Sequence, residues 1–236
     1  RDSSTSRGLG DVYKRQKWLR EDFVFLIKTM VIHSGLALPG MSSLMNYMQI
    51  AATENTIYTS PDASKIFCYT PSIIVTPTGR LIVSFDLGGE GVKSIEGHKS
   101  SRAGGSRFGQ GKIFISDDNG QKWTFVQNFP FWHARLFTIG NSIYLIGHAG
   151  DICIMKSEDN GESWSDTYFL THGEKWHSSA CNVLFSNGNV YLAMEQRCRL
   201  NEVTGWDVAG LSPTLFRACV EDNLCLASSW SRSEKF

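Results

Sequence analysis

The chain has 236 residues, 42% hydrophobic and 19% charged, with 23 basic side chains against 23 acidic. That balance provides no basic field for nucleic acid or anionic lipid, so neither is expected as a partner. Aromatic content of 12% and 22 glycines favour an all-β fold rich in turns.

Residues 1–16 show neither helical nor strand periodicity, and Asp11 to Gln16 (DVYKRQ) reads like the translation of a sequencing-library adapter. They are set aside from fold reasoning as adapter-derived. The chain is accordingly expected to be a piece of a longer protein. Residues 17–60 form a poorly patterned N-terminal segment. Within it, the apolar run Phe23 to Ile32 carries Lys28 and is too short for a membrane span. A signal peptide cleaved near Ala37 would hold that lysine in its apolar core, so a strand or short helix is the preferred reading and no compartment is assigned.

Residues 61–236 carry a repeat, the strongest pointer to architecture that a sequence offers. Each copy has an apolar strand, a Gly/Asn turn, a second apolar strand, a loop, a third strand and an acidic turn ending in tryptophan. Strands are expected at Tyr69 to Thr76, Leu81 to Asp86 and Lys112 to Ser116, then at His133 to Thr138, Ile143 to His148 and Ile152 to Ser157. The third copy is expected at Ser179 to Phe185, Val190 to Glu195 and Thr214 to Val220. Four strands per unit of ~40–50 residues describe a β-propeller blade.

The acidic turns are the most specific signal. Ser116-Asp117-Asp118-Asn119-Gly120-Gln121-Lys122-Trp123 and Ser157-Glu158-Asp159-Asn160-Gly161-Glu162-Ser163-Trp164 share the pattern S-x-D-x-G-x-x-W. Ser116, Asp118, Gly120 and Trp123, with Ser157, Asp159, Gly161 and Trp164, read as structural. Asp bonds the turn's own amides, Gly takes the positive φ, and Trp fills space between sheets. A third copy, Val220-Glu221-Asp222-Asn223-Leu224, is decayed, with Trp230 as its delayed aromatic.

This motif resembles the Asp box of the sialidase (neuraminidase) superfamily. Tyr69-Thr70-Pro71-Ser72 followed by Gly79 to Asp86 is similar to the opening blade of bacterial exo-sialidases. The resemblance covers roughly residues 65–236. It implies a sialidase-like β-propeller with about three four-stranded blades present of a probable six, and Asp boxes lying away from the active site. It also implies hydrolysis of a terminal sialic acid by an arginine triad, an aspartate acid/base and a tyrosine nucleophile activated by glutamate. The sequence departs from that pattern. Tyr69 stands where the first triad arginine belongs, and the loop Leu87 to Lys93 offers only Glu90, with Glu96 beyond it, in place of the aspartate.

A propeller binds its ligand on the axis, at one mouth. There the repeat aligns Asp86, His148 and Glu195 at the ends of second strands, and Tyr69, His133 with Arg135, and His177 around the starts of the innermost ones. Candidate catalytic residues are Asp86, Glu90, Glu195, His133 and His148. Candidate substrate-binding residues are Tyr69, Arg135, His177 and Arg197. A carboxyl with a raised pKa would serve as acid or base, and an arginine would hold an anionic substituent. The histidines could equally cap the blades, and Glu195 could pair with Arg197. The leading expectation is a glycoside hydrolase acting on a terminal acidic sugar of glycans. The alternatives are a polysaccharide lyase with a histidine base, and a non-catalytic glycan-binding propeller. The expected partner in each case is a glycan or oligosaccharide. The six cysteines form no CxxC pair and read as core thiols, with no metal site expected. No cofactor is expected either, because Gly104-Gly105 and Gly109-x-Gly111 lack the helix that a dinucleotide loop requires.

Overall fold

A computed structural model describes residues 54–101, 108–177, 183–197 and 210–233. The sequence readings of residues 1–16 and 23–32 lie outside the described residues, as does the start of the strand expected at Ser179. Residues 54–59, the described end of the unit Arg1–Thr59, form no regular strand.

The unit Ser60–Phe236 is all-β, with short 3-10 turns and no α-helix among the described residues. No described helix is long and apolar enough to cross a membrane. The first sheet is an antiparallel meander of β1 (Phe67–Val75), β2 (Leu81–Gly88), β4 (Phe108–Ser116) and β5 (Thr124–Phe129), with β3 (Ser100–Ser101) paired to the start of β4. The second sheet runs β6 (Trp132–Ile139), β7 (Ser142–Ala149), β8 (Asp151–Ser157) and β9 (Tyr168–Phe169). In the third, two short strands, β10 (Trp176–His177) and β11 (Leu184–Ser186), both line β12 (Asn189–Arg197). Next come β13 (Leu211–Cys219) and β14 (Ser231–Arg232).

Strand alternation explains how the sheets stack. Successive side chains point to opposite faces, so β7 sends Ile143 and Leu145 into a core shared with Ile82 and Ile113 of the first sheet. Its Tyr144 and Ile146 enter a second core with Trp176, Leu192, Met194 and Phe216 of the third. Strand β8 divides in the same way, Cys153 and Met155 against Ile152 and Ile154. The middle sheet is thus apolar on both faces, as expected for a blade held between two others. Cys153 and Cys225 are buried thiols, and burial pushes the Cys153 thiol up to about 12.

The Asp boxes close the outer hairpins. Asp118 Oδ1 accepts from Ser116 Oγ at 2.9 Å and Lys122 N at 2.8 Å, while Ser116 Oγ accepts from Gly120 N at 2.9 Å. The Lys122 amide is the main reason that the Asp118 carboxyl lies below its ordinary value. Ser157, Asp159, Gly161 and Ser163 repeat the same bonds. Arg80 joins the two boxes, gripping Asp117 through Nε and Nη2 at 2.7 and 2.9 Å and reaching Glu162 and the Asn160 carbonyl through Nη1. Trp164 packs on the core between the first two sheets and Trp230 on that between the second and third, so the decayed box keeps its aromatic.

Gly161 (φ 87) shows why the box needs glycine: a Cβ there would lie 2.4 Å from Ile82 Cδ1. Gly161→Ala is expected to destabilise by about 2–3 kcal/mol in urea unfolding, combining backbone strain with overpacking. At Gly150, where φ is 92 and the space is open, alanine should cost only about 1 kcal/mol. Equal losses at both positions would remove the packing part of this account.

Candidate functional site

The first strands of the first two sheets share a defect. In β1 the register with β2 slips between Tyr69 and Ser72, and in β6 the register with β7 slips between Trp132 and Arg135. Each bulge holds one residue in the left-handed region, Thr70 (φ 46) and His133 (φ 53). A bulge leaves one residue out of the ladder and re-aims its neighbours. Both bulges converge on one carboxylate, because Asp86 Oδ2 accepts from Thr70 Oγ1 of its own sheet at 2.5 Å and from the His133 amide of the neighbouring sheet at 2.6 Å.

From His133 the contacts run onward. Its Nδ1 lies 3.0 Å from Nε2 of His148. The His177 ring packs against both, with centroids 4.7 Å from His133 and 5.9 Å from His148. His177 Nδ1 then meets Glu195 Oε2 at 2.8 Å. Three consecutive sheets therefore bring Asp86, His133, His148, His177 and Glu195 into one continuous cluster. Its ends differ in access: Asp86 is 0% exposed, whereas the side chains of His177 and Glu195 are 17% and 27% exposed. Burial is the main cause that pushes the Asp86 carboxyl up to about 7, against the opposing pull of Thr70, the His133 and Ala134 amides and the Arg135 charge. A carboxylate can only accept a hydrogen bond, so in neutral His177 the hydrogen sits on Nδ1 and Nε2 is the basic nitrogen.

The remaining candidates are placed around this cluster. Tyr69 is register-paired with Asp86, lies over Gly88 and is 46% exposed. Arg135 is buried, with Nη1 donating to the Ala134 carbonyl at 2.9 Å. Arg197 ends β12, two residues past Glu195. Glu90 stands exposed on the 3-10 turn Glu90–Ser94, whose Gly91 amide is held by the Lys65 carbonyl. Among the described residues no group of three or more His, Cys, Asp or Glu has the arrangement of a metal site.

One alignment in the sequence reading needs correction. Tyr69 faces Asp86, Trp132 faces His148 and Trp176 faces Gln196, so the equivalent of Asp86 and His148 is Gln196, not Glu195. A one-residue step turns a side chain to the other face of the sheet, and Glu195 reaches the cluster only through its pairing with His177. The recurrence of Trp132-His133 and Trp176-His177 carried the correct register. Sequence reasoning also missed Thr70. Asp151, which opens β8, makes a clamp. Its carboxylate accepts from Thr171 Oγ1, Gly173 N and Glu174 N, shaping the loop that delivers Trp176 and His177.

No family model and no curated protein matches the chain. Solved structures do. An α-L-arabinofuranosidase from Lactobacillus brevis superposes with a TM-score of 0.51 at 16% identity, over 76% of this chain and 59% of its own. An α-L-arabinanase from Penicillium chrysogenum, complexed with arabinobiose, gives 0.48 at 14% identity over 75% and 52%. A sialidase from Streptococcus pneumoniae gives 0.39 at 20% identity over 64% and 21%. The chain thus spans between half and three fifths of the lengths of the first two. Taken with the antiparallel meanders, the first superposition establishes that the chain is all-β and has a β-propeller fold, with three blades of four strand positions each among the described residues.

Proposed function

We propose that the chain is part of a glycan-active enzyme that cleaves beside an acidic sugar at the mouth of the propeller. The observation that carries this reading is the solvent-reaching His177–Glu195 pair packed on the His133–His148 pair. Glu195 fixes the His177 tautomer, which makes the imidazole a base within a cluster of like groups. Such an arrangement suits β-elimination from a uronate. The base takes the proton α to the sugar carboxylate, the bond to the neighbouring glycosidic oxygen breaks, a C=C bond forms, and the leaving oxygen takes up a proton. Arg197, at the end of β12, would hold the sugar carboxylate, and the exposed Tyr69 would line the sugar's path.

Hydrolysis by a glycosidase of the sialidase superfamily is the second reading, and the accessibility of Glu195 and Glu90 favours it. The tyrosine-nucleophile scheme of that superfamily still needs an acid/base carboxyl that reaches the bond, and Asp86, being sealed, does not supply it. The product distinguishes the two chemistries. The protein would be incubated with uronate-bearing polysaccharides and with sialylated oligosaccharides. Ultraviolet absorbance from an unsaturated uronate marks elimination, and new reducing ends without that absorbance mark hydrolysis. Glycan binding without new chain ends would sink the enzymatic reading and leave a binding propeller.

A further inference from the structure

Five non-glycine residues among those described have φ in the left-handed region. Asn119, Asn160 and Asn187 occupy turns, where asparagine tolerates that conformation. The other two are Thr70 and His133, and although histidine tolerates the conformation better than most residues, the β-branched threonine is a genuine outlier there. Such strain persists only where the surroundings over-determine it, and it gathers at functional positions. What over-determines it here is one oxygen atom, since Thr70 Oγ1 and the His133 amide both donate to Asp86 Oδ2. A carboxylate is acceptor-only and has lone pairs enough for both donors. Ser72, at the far end of the first bulge, adds a second link by accepting from Leu136 N at 3.0 Å.

The geometry points to Asp86 as a positioning residue: sealed beneath the mouth, it ties the bulges of two adjacent blades together and so sets where the His133 ring meets His148 and His177. This role rests on the reading of the histidine cluster as the reacting site. Asp86 is completely buried, so a sugar meets His133 and His177 rather than the carboxylate. Its protein partners present hydroxyl and amide donors to it, the pattern of a structural acceptor.

Three variants test this: Asp86→Ala, Asp86→Asn and the double variant Asp86→Ala with Thr70→Gly. The readouts are kcat and KM on the cleaved glycan, and the imidazole Cε1–Hε1 NMR signals of His133, His148 and His177 across pH, which need no substrate. Asp86→Ala is expected to lower kcat roughly hundredfold with KM little changed, the usual consequence of a catalytic group displaced by about an ångström. The His133 signal should move with it. Asp86→Asn keeps an acceptor oxygen for Thr70 and His133 and should retain most of the activity that Asp86→Ala loses. In the double variant glycine accepts the left-handed backbone without strain, so melting temperature recovers while kcat and the His133 signal stay displaced. Histidine signals in Asp86→Ala that coincide with the wild type would overturn the proposal. So would an Asp86→Asn protein as inactive as Asp86→Ala with its histidine signals unmoved, because that pattern belongs to a reacting acid. Displaced signals in a protein that cleaves no glycan would support the positioning role and sink the functional reading separately.

Discussion

Glu195→Gln is expected to lower kcat by roughly 10²–10⁴-fold while leaving KM and the melting temperature close to the wild type. The expectation follows from donor and acceptor counting at one contact, His177 Nδ1 to Glu195 Oε2 at 2.8 Å. Glutamate offers only acceptors there, so Nδ1 must carry the hydrogen and Nε2 must be the base. A glutamine can instead turn its NH₂ towards Nδ1, which moves the ring hydrogen to Nε2 and silences the base in place. Packing changes little, because the two side chains have nearly the same shape and Glu195 lies at a half-buried position on β12. His177→Gln should cost a similar factor. The double variant should be no worse than either single one, as groups that act as a unit are not additive. Steady-state kinetics of the three proteins check the prediction. Single losses that multiply in the double variant would mean that the two residues act independently, and an unchanged kcat in Glu195→Gln would remove the pair from the chemistry.

The sequence made the blades legible because their physics is local. The unbroken apolar runs Ile143 to Ile146 and Ile152 to Met155 suit strands buried on both faces, and the structure divides them between two cores accordingly. The Asp boxes were legible for a similar reason: Ser116, Asp118 and Gly120 satisfy one another within five residues. The gathering of the polar residues at the mouth was legible only in outline. Strand ends make a poor alignment frame, because β12 continues to Arg197 and the ladder pairs Trp176 with Gln196, so Glu195 belongs one step off. The left-handed bulges at Thr70 and His133 left no mark in the sequence, since a positive φ is usually signalled by glycine or asparagine. Here it is imposed from another part of the chain, by a carboxylate sixteen residues from one partner and forty-seven from the other. A contact of that kind cannot be found by matching local patterns.

The stability of the wild type relative to Asp86→Asn should fall as pH rises from about 4 to about 8, by on the order of 4 kcal/mol. Asp86 in the fold ionises near 7, chiefly because burial disfavours its charged form, against 3.8 for an ordinary aspartate. The folded state therefore binds the proton more tightly than the unfolded chain. Below about pH 4 both states are protonated and the full contribution is present. Between these values the unfolded chain releases the proton while the folded protein retains it, so stability declines with rising pH and levels off above the folded value. The groups that face the carboxyl moderate the fall without reversing it. Thr70, the two backbone amides and Arg135 all favour the anion, yet burial outweighs them. Asparagine has no such titration, so the difference between the two proteins isolates this one group from the rest of the charge. Urea unfolding of both at matched pH gives the curve directly. A difference that stays flat across this window, or that grows in favour of the wild type at high pH, would show that the three donors dominate and that Asp86 is an ordinary anion throughout.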